Sequence, residues 1–383
     1  MSFAESAARV AWLRTLAATC HTFNDMVTKE LYTHMSIDCG TRSRSQMNFV
    51  RNVISVSTES EDGSGNGSGN ESDSSCSAAT TDSTRSIPHD TLKTLRLRYD
   101  QAPSELVANR FKSTWDTWPS LEQLWIVGAP LGVTWLTMTS LRDLAPTIVQ
   151  LCLDNVGLLE SESLSLPALS FPHLKHFALS NPIIFPSGRA AEPWQPFLNT
   201  TACPQLESIV LSGWVSSVRP EQLESLNRCL CSVASQIKRF TFKPTAGLSM
   251  EDLSLVYDRL CNLRFLGVPV SLDTAMVLAR LPRRPDTIRF FAHFNPDDEM
   301  AEGELFLSED LVRVCEEARD SSGDENVVSR YILPDVRHMV DGPALVKRHS
   351  ASNRRITVEF RRLPFDEYAI QWEDLIATGF GLE

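Results

Sequence analysis

The chain has 383 residues, a formal net charge of −12 and 42% apolar residues, an apolar share ordinary for a folded domain. It offers no run of 18 or more apolar residues and no charged-then-apolar leader, so the sequence predicts neither a membrane span nor a secretory signal. Its nine cysteines are scattered without a CxxC pair, which predicts small core hydrophobes in a reducing cytoplasm or nucleus.

Taken from the start, residues 13–38 read LRTLAATCHTFNDMVTKELYTHMSID. Leu13, Leu16, Cys20, Phe23 and Val27 keep helical spacing, which predicts an amphipathic helical hairpin, and a short strand is expected after it at 35–39. The segment resembles the C-terminal half of an F-box, as found in fungal F-box proteins. The resemblance rests on Leu13 and Leu16, Thr19-Cys20, Phe23-Asn24, Val27-Thr28 and Leu31-Tyr32. It implies that Leu13, Leu16, Phe23, Val27 and Leu31 hold the Skp-type adaptor of a cullin-based ubiquitin ligase. The Leu-Pro pair that normally opens an F-box is not found in residues 1–10. The same helices therefore fit a cap on the end of a repeat stack equally well, and a start codon assigned too far downstream is a third reading.

Next comes a helix at 46–56, placed in residues 41–56 as a cap. From 57 to 87 the chain is Ser, Gly, Asn, Thr and acids, with the core EDGSGNGSGNESDSS. Such a segment has too little apolar surface to offset its chain entropy and reads as a disordered acidic loop inserted in the first repeat region.

From residue 88 onward one pattern dominates. L-x-x-L-x-L recurs as Leu92-Leu95-Leu97, Leu121-Leu124-Ile126, Ile148-Leu151-Leu153, Leu174-Phe177-Leu179, Leu206-Ile209-Leu211, Ile237-Phe240-Phe242 and Leu263-Leu266-Val268, with a weaker eighth at Ile288-Phe291-His293. First anchors are 25 to 32 residues apart. Proline sits two residues before four of them, at Pro119, Pro146, Pro172 and Pro204, where a residue without a backbone donor suits the mouth of a strand. Alternation within each motif predicts half-buried strands. Between strands the period turns helical: Leu223, Leu226, Leu230 and Val233 share one face from 220 to 235, with Pro220 suited to the first turn. Leu253, Val256 and Leu260 repeat this after Ser249 and Asp252, which match a capping box, and Leu272, Met276 and Ala279 do so again.

One strand and one helix per unit predict an α/β solenoid, a curved parallel sheet with outer helices, in which each unit buries its apolar side only against its neighbours. These units resemble leucine-rich repeats over about residues 91–295, with an outer limit at residue 363. They depart from the regular family pattern, which places Asn or Cys three positions after the last strand leucine. Here Asp100, Ala129, Val156, Pro182 and Trp214 stand there, with Asn155 and Asn181 one residue earlier; the likeness is to irregular repeats of fungal proteins. The predicted organisation is an F-box-like segment at 1–40, a cap helix within 41–56, the loop at 57–87 and a repeat domain with a C-terminal cap at 88–383.

In this pattern the third, fifth and seventh positions point into the concave solvent. That nominates Arg96, Arg98, Gln123, Trp125, Gln150, His176, Arg239, Thr241 and Lys243 as a partner-binding face, Trp and Arg being the types that dominate interface energy; the alternative is that Trp125 is covered by the loop at 57–87 or by a neighbouring unit. Charge is local: 57–87 carries −5, 297–325 carries −10 and the remainder is near +3. This argues against nucleic acid as the ligand. The acidic stretch at 297–325 precedes a basic one, from Arg330 to Arg362, and the pair reads either as a self-complementary cap or as a docking surface for a basic partner. No GxSxG, P-loop or strand-to-helix GxGxxG is found; His173 and His176 point to opposite faces of a strand, and Asp297-Asp298-Glu299 reads as a solvated turn. The sequence thus predicts a protein-binding scaffold, most simply an F-box-type substrate receptor, with no catalytic, cofactor or metal residues. The alternative is a repeat scaffold without a ligase role.

Overall fold

The computed structural model describes residues 34–38, 92–98, 120–128, 134–137, 141–142, 145–159, 169–183, 192–213, 219–243, 249–269, 277–278, 280–283, 285–291, 329–334, 356–361, 375–377 and 379–381. The predicted helical hairpin before residue 34, the helix at 46–56, the loop at 57–87 and the acidic stretch at 297–325 lie outside these residues, as does the helical repeat at Leu272, Met276 and Ala279.

The protein is an α/β fold built on one long parallel sheet. Its strands are β1 (His34–Asp38), β2 (Thr94–Arg98), β3 (Gln123–Val127), β5 (Gln150–Asp154), β7 (His176–Ser180), β8 (Ser208–Ser212), β9 (Arg239–Lys243), β10 (Phe265–Pro269), β11 (Thr287–Phe291), β12 (Ser329–Pro334) and β13 (Ile356–Arg361). These eleven pair in chain order, each parallel to the one before it. Two further strands, β4 (Thr134–Thr137) and β6 (Val156–Leu159), pair with each other in a small parallel sheet. The strand expected at 35–39 is β1, one residue earlier, and it pairs with β2 from His34↔Thr94 to Asp38↔Arg98. The predicted insertion therefore falls between two adjacent strands of the sheet.

Registration is the same from unit to unit. Leu95, Leu124, Leu151, Phe177, Ile209, Phe240, Leu266 and Ile288 are cross-strand partners in one continuous row. A backbone device repeats with them. The carbonyl of the second residue of a unit accepts two N–H groups from the next: Lys93 O from Glu122 and Gln123, Glu122 O from Val149 and Gln150, and so on through Lys238 O from Arg264 and Phe265. Adjacent parallel strands are thus locked before the ladder proper begins, which satisfies donors that a strand entrance would otherwise leave unpaired.

This ladder corrects the eighth motif. Thr287 N donates to Arg264 O and Arg330 N to Asp286 O, and Ile288 pairs with Leu266. Ile288 is therefore the fourth position of its unit and Phe290 the sixth; the motif Ile288-Phe291-His293 is three residues out of step. A proline, Pro285, occupies the first position, where the pattern seeks an aliphatic anchor.

Of the two predicted helical connections that fall within the described residues, one matches the periodicity and the other is shorter than it predicts. Helix α1 (Pro220–Val233) matches expectation, with Pro220 in its first turn and Leu226, Leu230 and Val233 buried. Arg219 N donates to Gln222 Oε1 at 3.1 Å, tying down its start. In the next unit Ser249 N donates to Asp252 Oδ2 at 2.6 Å and Asp252 N to Ser249 Oγ at 3.3 Å, the reciprocal cap that the sequence shows. Beyond this cap stand only a 3₁₀ turn at Glu251–Leu253 and a single turn of helix, α2 (Ser254–Tyr257), because the chain must return to β10 within a few residues.

The core lies between the sheet and these connections. First, fourth and sixth positions enter it with Leu141, Trp194, Phe197, Val256 and Tyr257 from the connections. Phe197 stacks on Phe177 at 4.6 Å and tilts against Phe171 at 5.2 Å. Val156, which follows the turn residue Asn155, is buried at the start of β6 and packs into the core.

The turns leaving β5, β7 and β8 are left-handed. Asn155 and Asn181 have φ of 53° and 42°, and Gly213 at the equivalent place has φ of 66°. Each donates its N–H to the last strand residue of the next unit: Asn155 to Ser180 O, Asn181 to Ser212 O and Gly213 to Lys243 O. Asn and Gly are the residues that tolerate this conformation.

Candidate functional site

The face of the sheet opposite the core carries the third, fifth and seventh positions. Its fifth-position row runs in register from Arg96 through Trp125, Cys152, Ala178, Val210 and Thr241 to Gly267 and Arg289. Arginines stand at its two ends, each beside an aromatic ring, and small side chains fill the middle. The Arg96 guanidinium lies 4.1 Å from the centre of the Trp125 ring, and that of Arg289 5.0 Å from Phe291. The row is a trough.

The trough is filled by the chain itself. Leu375, Ile376 and Phe380 are buried in a second apolar cluster with Trp125, Cys152, Ala178, Val210 and Phe291. The Phe380 ring lies 5.0 Å from that of His176, tilted by 33°. Arg239 donates from Nε to Gly379 O at 2.9 Å, while its guanidinium sits 4.2 Å over the Phe265 ring. Gly379 is needed for this approach, since a Cβ there would stand 2.4 Å from Val210 Cγ2.

The nine nominated residues thus share one face, but that face is not open solvent. Trp125, Gln150 and Thr241 are buried, at 4%, 2% and 0% exposure. Arg96, Arg98, Gln123, His176, Arg239 and Lys243 are half-buried. The burial has a simple physical cause: a row of Trp, Cys, Ala and Val on a sheet face attracts an apolar cover, and the cover comes from the far end of the chain. Periodicity identifies the face but is blind to Leu375, Ile376, Gly379 and Phe380, which belong to no strand pattern. It also misses Arg289 and Phe291, hidden by the slipped register. The apolar Leu375-Ile376 pair and Phe380, close together in a C-terminal stretch, were the available signal. The candidate adaptor contacts Leu13, Leu16, Phe23, Val27 and Leu31 lie outside the described residues.

Burial also sets the chemistry. It lowers His176 to about 4, with Lys175 and Arg239 adding to the effect and Glu207 opposing it. The Cys152 thiol is pushed far up by the same loss of solvent, despite its bond from Gln150 and the nearby Arg96, and Cys203 rises to about 12. Neither is a thiolate near neutrality, so neither is an activated nucleophile. Trp125 Nε1, His176 Nδ1, Ser208 Oγ and Thr241 Oγ1 are buried without a hydrogen-bond partner among the described residues. All four belong to this one face.

A shallow groove runs along the strand entrances, where Lys175, Lys238, Arg264 and Arg283 surround Glu207. Lys238 pairs with Glu207 at 2.9 Å, so the groove is a partly neutralised basic edge. Among the described residues no group of three or more His, Cys, Asp or Glu is placed to hold a metal ion, and no helix is long and apolar enough to cross a membrane. No family model matches the chain, and no curated protein matches it.

Proposed function

We propose that this chain is a leucine-rich-repeat solenoid that binds a protein partner on its concave face, and that it serves as the F-box-type substrate receptor of a cullin-based ubiquitin ligase. The observation that carries the scaffold reading is the row of strands in chain order, each repeating one registration and one backbone lock. Such a stack extends a continuous surface whose third, fifth and seventh positions differ from unit to unit and can be shaped to a partner. The ligase reading adds the F-box-like residues 13–38, whose last five form the first strand of the sheet. In it, Leu13, Leu16, Phe23, Val27 and Leu31 hold the Skp-type adaptor.

A second reading has a specific observation in its favour. Strand β1 is the edge of the main sheet, so a segment directly before it is also placed to cap that edge, and a scaffold without a ligase role needs such a cap.

Co-expression with the host's Skp-type adaptor, followed by pulldown, separates the two. The comparison is the full chain against a variant lacking residues 1–33, which keeps β1. Retention of the adaptor by the full chain and its loss on deletion supports the receptor. No retention by the full chain makes the segment a cap.

A further inference from the structure

The cover over the fifth-position trough is a poor match for the surface beneath it. Its apolar side chains pair well with Trp125, Ala178, Val210 and Phe291, but it leaves Trp125 Nε1, His176 Nδ1, Ser208 Oγ and Thr241 Oγ1 buried and unpaired among the described residues. A buried polar group without a partner weakens the packed state, and four such groups lie on this one face. The cover is also slight. Within 375–381 the described residues form little more than a turn of helix, and Arg239 Nε ties them to the sheet through the Gly379 carbonyl.

We propose that residues 375–381 are a displaceable occupant, in cis, of a peptide-binding surface. Its partner in trans is a peptide segment that sets an aromatic side chain against His176, gives Arg239 a backbone carbonyl, and turns further backbone or side-chain polar groups onto Trp125, Ser208 and Thr241. The indole needs an acceptor, and the two hydroxyls take either role, so an extended or irregular peptide with unpaired carbonyls fits and a closed apolar helix does not. The proposal rests on the scaffold reading above but not on the ligase reading.

The test begins with the intact chain. Hydrogen exchange is expected to open 375–381 at least tenfold faster than the amides of β7, β8 and β9, through a local event. Exchange of the segment only together with those strands would make it part of the core and overturn the proposal. In a second arm, Gly379→Val leaves the chain whole but drives a side chain into Val210. A labelled peptide of residues 371–383 is expected to bind this variant at least tenfold more tightly than the native chain, and Phe380→Ala in the peptide to abolish the difference. Equal binding to both chains, or to neither, overturns it. A random-peptide library panned on the Gly379→Val chain addresses the polar groups. Enriched peptides should compete with the 371–383 peptide and lose about tenfold on adding Thr241→Val, whereas the 371–383 peptide should not. Enriched peptides indifferent to Thr241→Val would refute the assigned partner chemistry.

Discussion

Arg239 donates from Nε to the backbone carbonyl of Gly379, 2.9 Å away and 140 residues further along the chain. This bond fastens the C-terminal segment to the middle of the sheet. The same guanidinium is flattened 4.2 Å over Phe265 on the neighbouring strand, so its direction is fixed before the segment arrives. A planar, delocalised cation is required for both contacts at once. Arg239→Lys should therefore resemble Arg239→Ala rather than the native chain. A hydrogen bond from a charged donor contributes on the order of 1.5–3 kcal/mol when buried and less when half-buried, as here. Both variants are expected to raise exchange and protease susceptibility around residue 379 several-fold, with β8 unaffected. Native-like protection in Arg239→Lys would show that charge alone holds the segment.

The exit turns give a sharper case. Gly213 has φ of 66°, and a Cβ on it would stand 2.1 Å from Asn181 Oδ1 in the preceding turn. Asn181 cannot yield freely, because its Nδ2 donates to Asp154 Oδ1 at 3.1 Å. Gly213→Ala then meets both backbone strain and a steric conflict, and is expected to cost more than about 1 kcal/mol. Asn181→Gly keeps the left-handed turn and removes the obstacle. In a double-mutant cycle measured by denaturant unfolding, Gly213→Ala should cost less on the Asn181→Gly background. Strict additivity would mean that the two turns are not in contact.

The sheet is largely legible in the sequence because each strand repeats an alternation that a parallel, one-sided core demands. Leu95, Leu124, Leu151 and Phe177 have to face one way. The left-handed turns are half visible, since Asn155 and Asn181 follow their strands directly without revealing why. The structure supplies the reason: the turn needs positive φ at that residue, and Val156 is used as a core strand residue. The short α2 and the slipped eighth unit are not legible. Periodicity cannot tell one turn of helix from three, and at Pro285 the first anchor is missing, so the pattern locks onto the next apolar residue. Least legible is the cover at 375–381. A contact across 140 residues leaves no period in the sequence, and the nominated face therefore reads as solvent.

His176 makes the cover sensitive to acid. Its ring packs on Phe380, and burial, reinforced by Lys175 and Arg239 and opposed by Glu207, holds it down at about 4 from an ordinary 6.5. The unfolded chain takes up this proton near 6.5 and the folded chain only near 4. Between those values the unfolded state binds more protons, so stability falls as pH falls through the window and levels off below it. The prediction is a loss of thermal stability from about pH 7.5 to 5 that is reduced in His176→Phe, which keeps a ring against Phe380 but cannot titrate. An unchanged pH dependence in that variant would place the sensitivity elsewhere.

Adjacent phenylalanines on β11 test the register directly. Phe290 occupies a sixth position in the main core, whereas Phe291 turns to the other face and joins the cluster with Leu375, Ile376 and Phe380. Truncating a fully buried Phe typically costs about 3–5 kcal/mol, so Phe290→Ala should lower the unfolding midpoint of the whole sheet and its core. Phe291→Ala removes the ring that faces Arg289 at 5.0 Å and one wall of the trough. Its effect should fall first on the segment, as faster exchange at 375–381, with a smaller change in global stability. If the eighth unit kept the spacing that periodicity alone suggests, Phe291 would be the core residue and Phe290 the one on the open face. The two variants would then exchange their phenotypes, and one pair of unfolding curves with one exchange map decides between the registers.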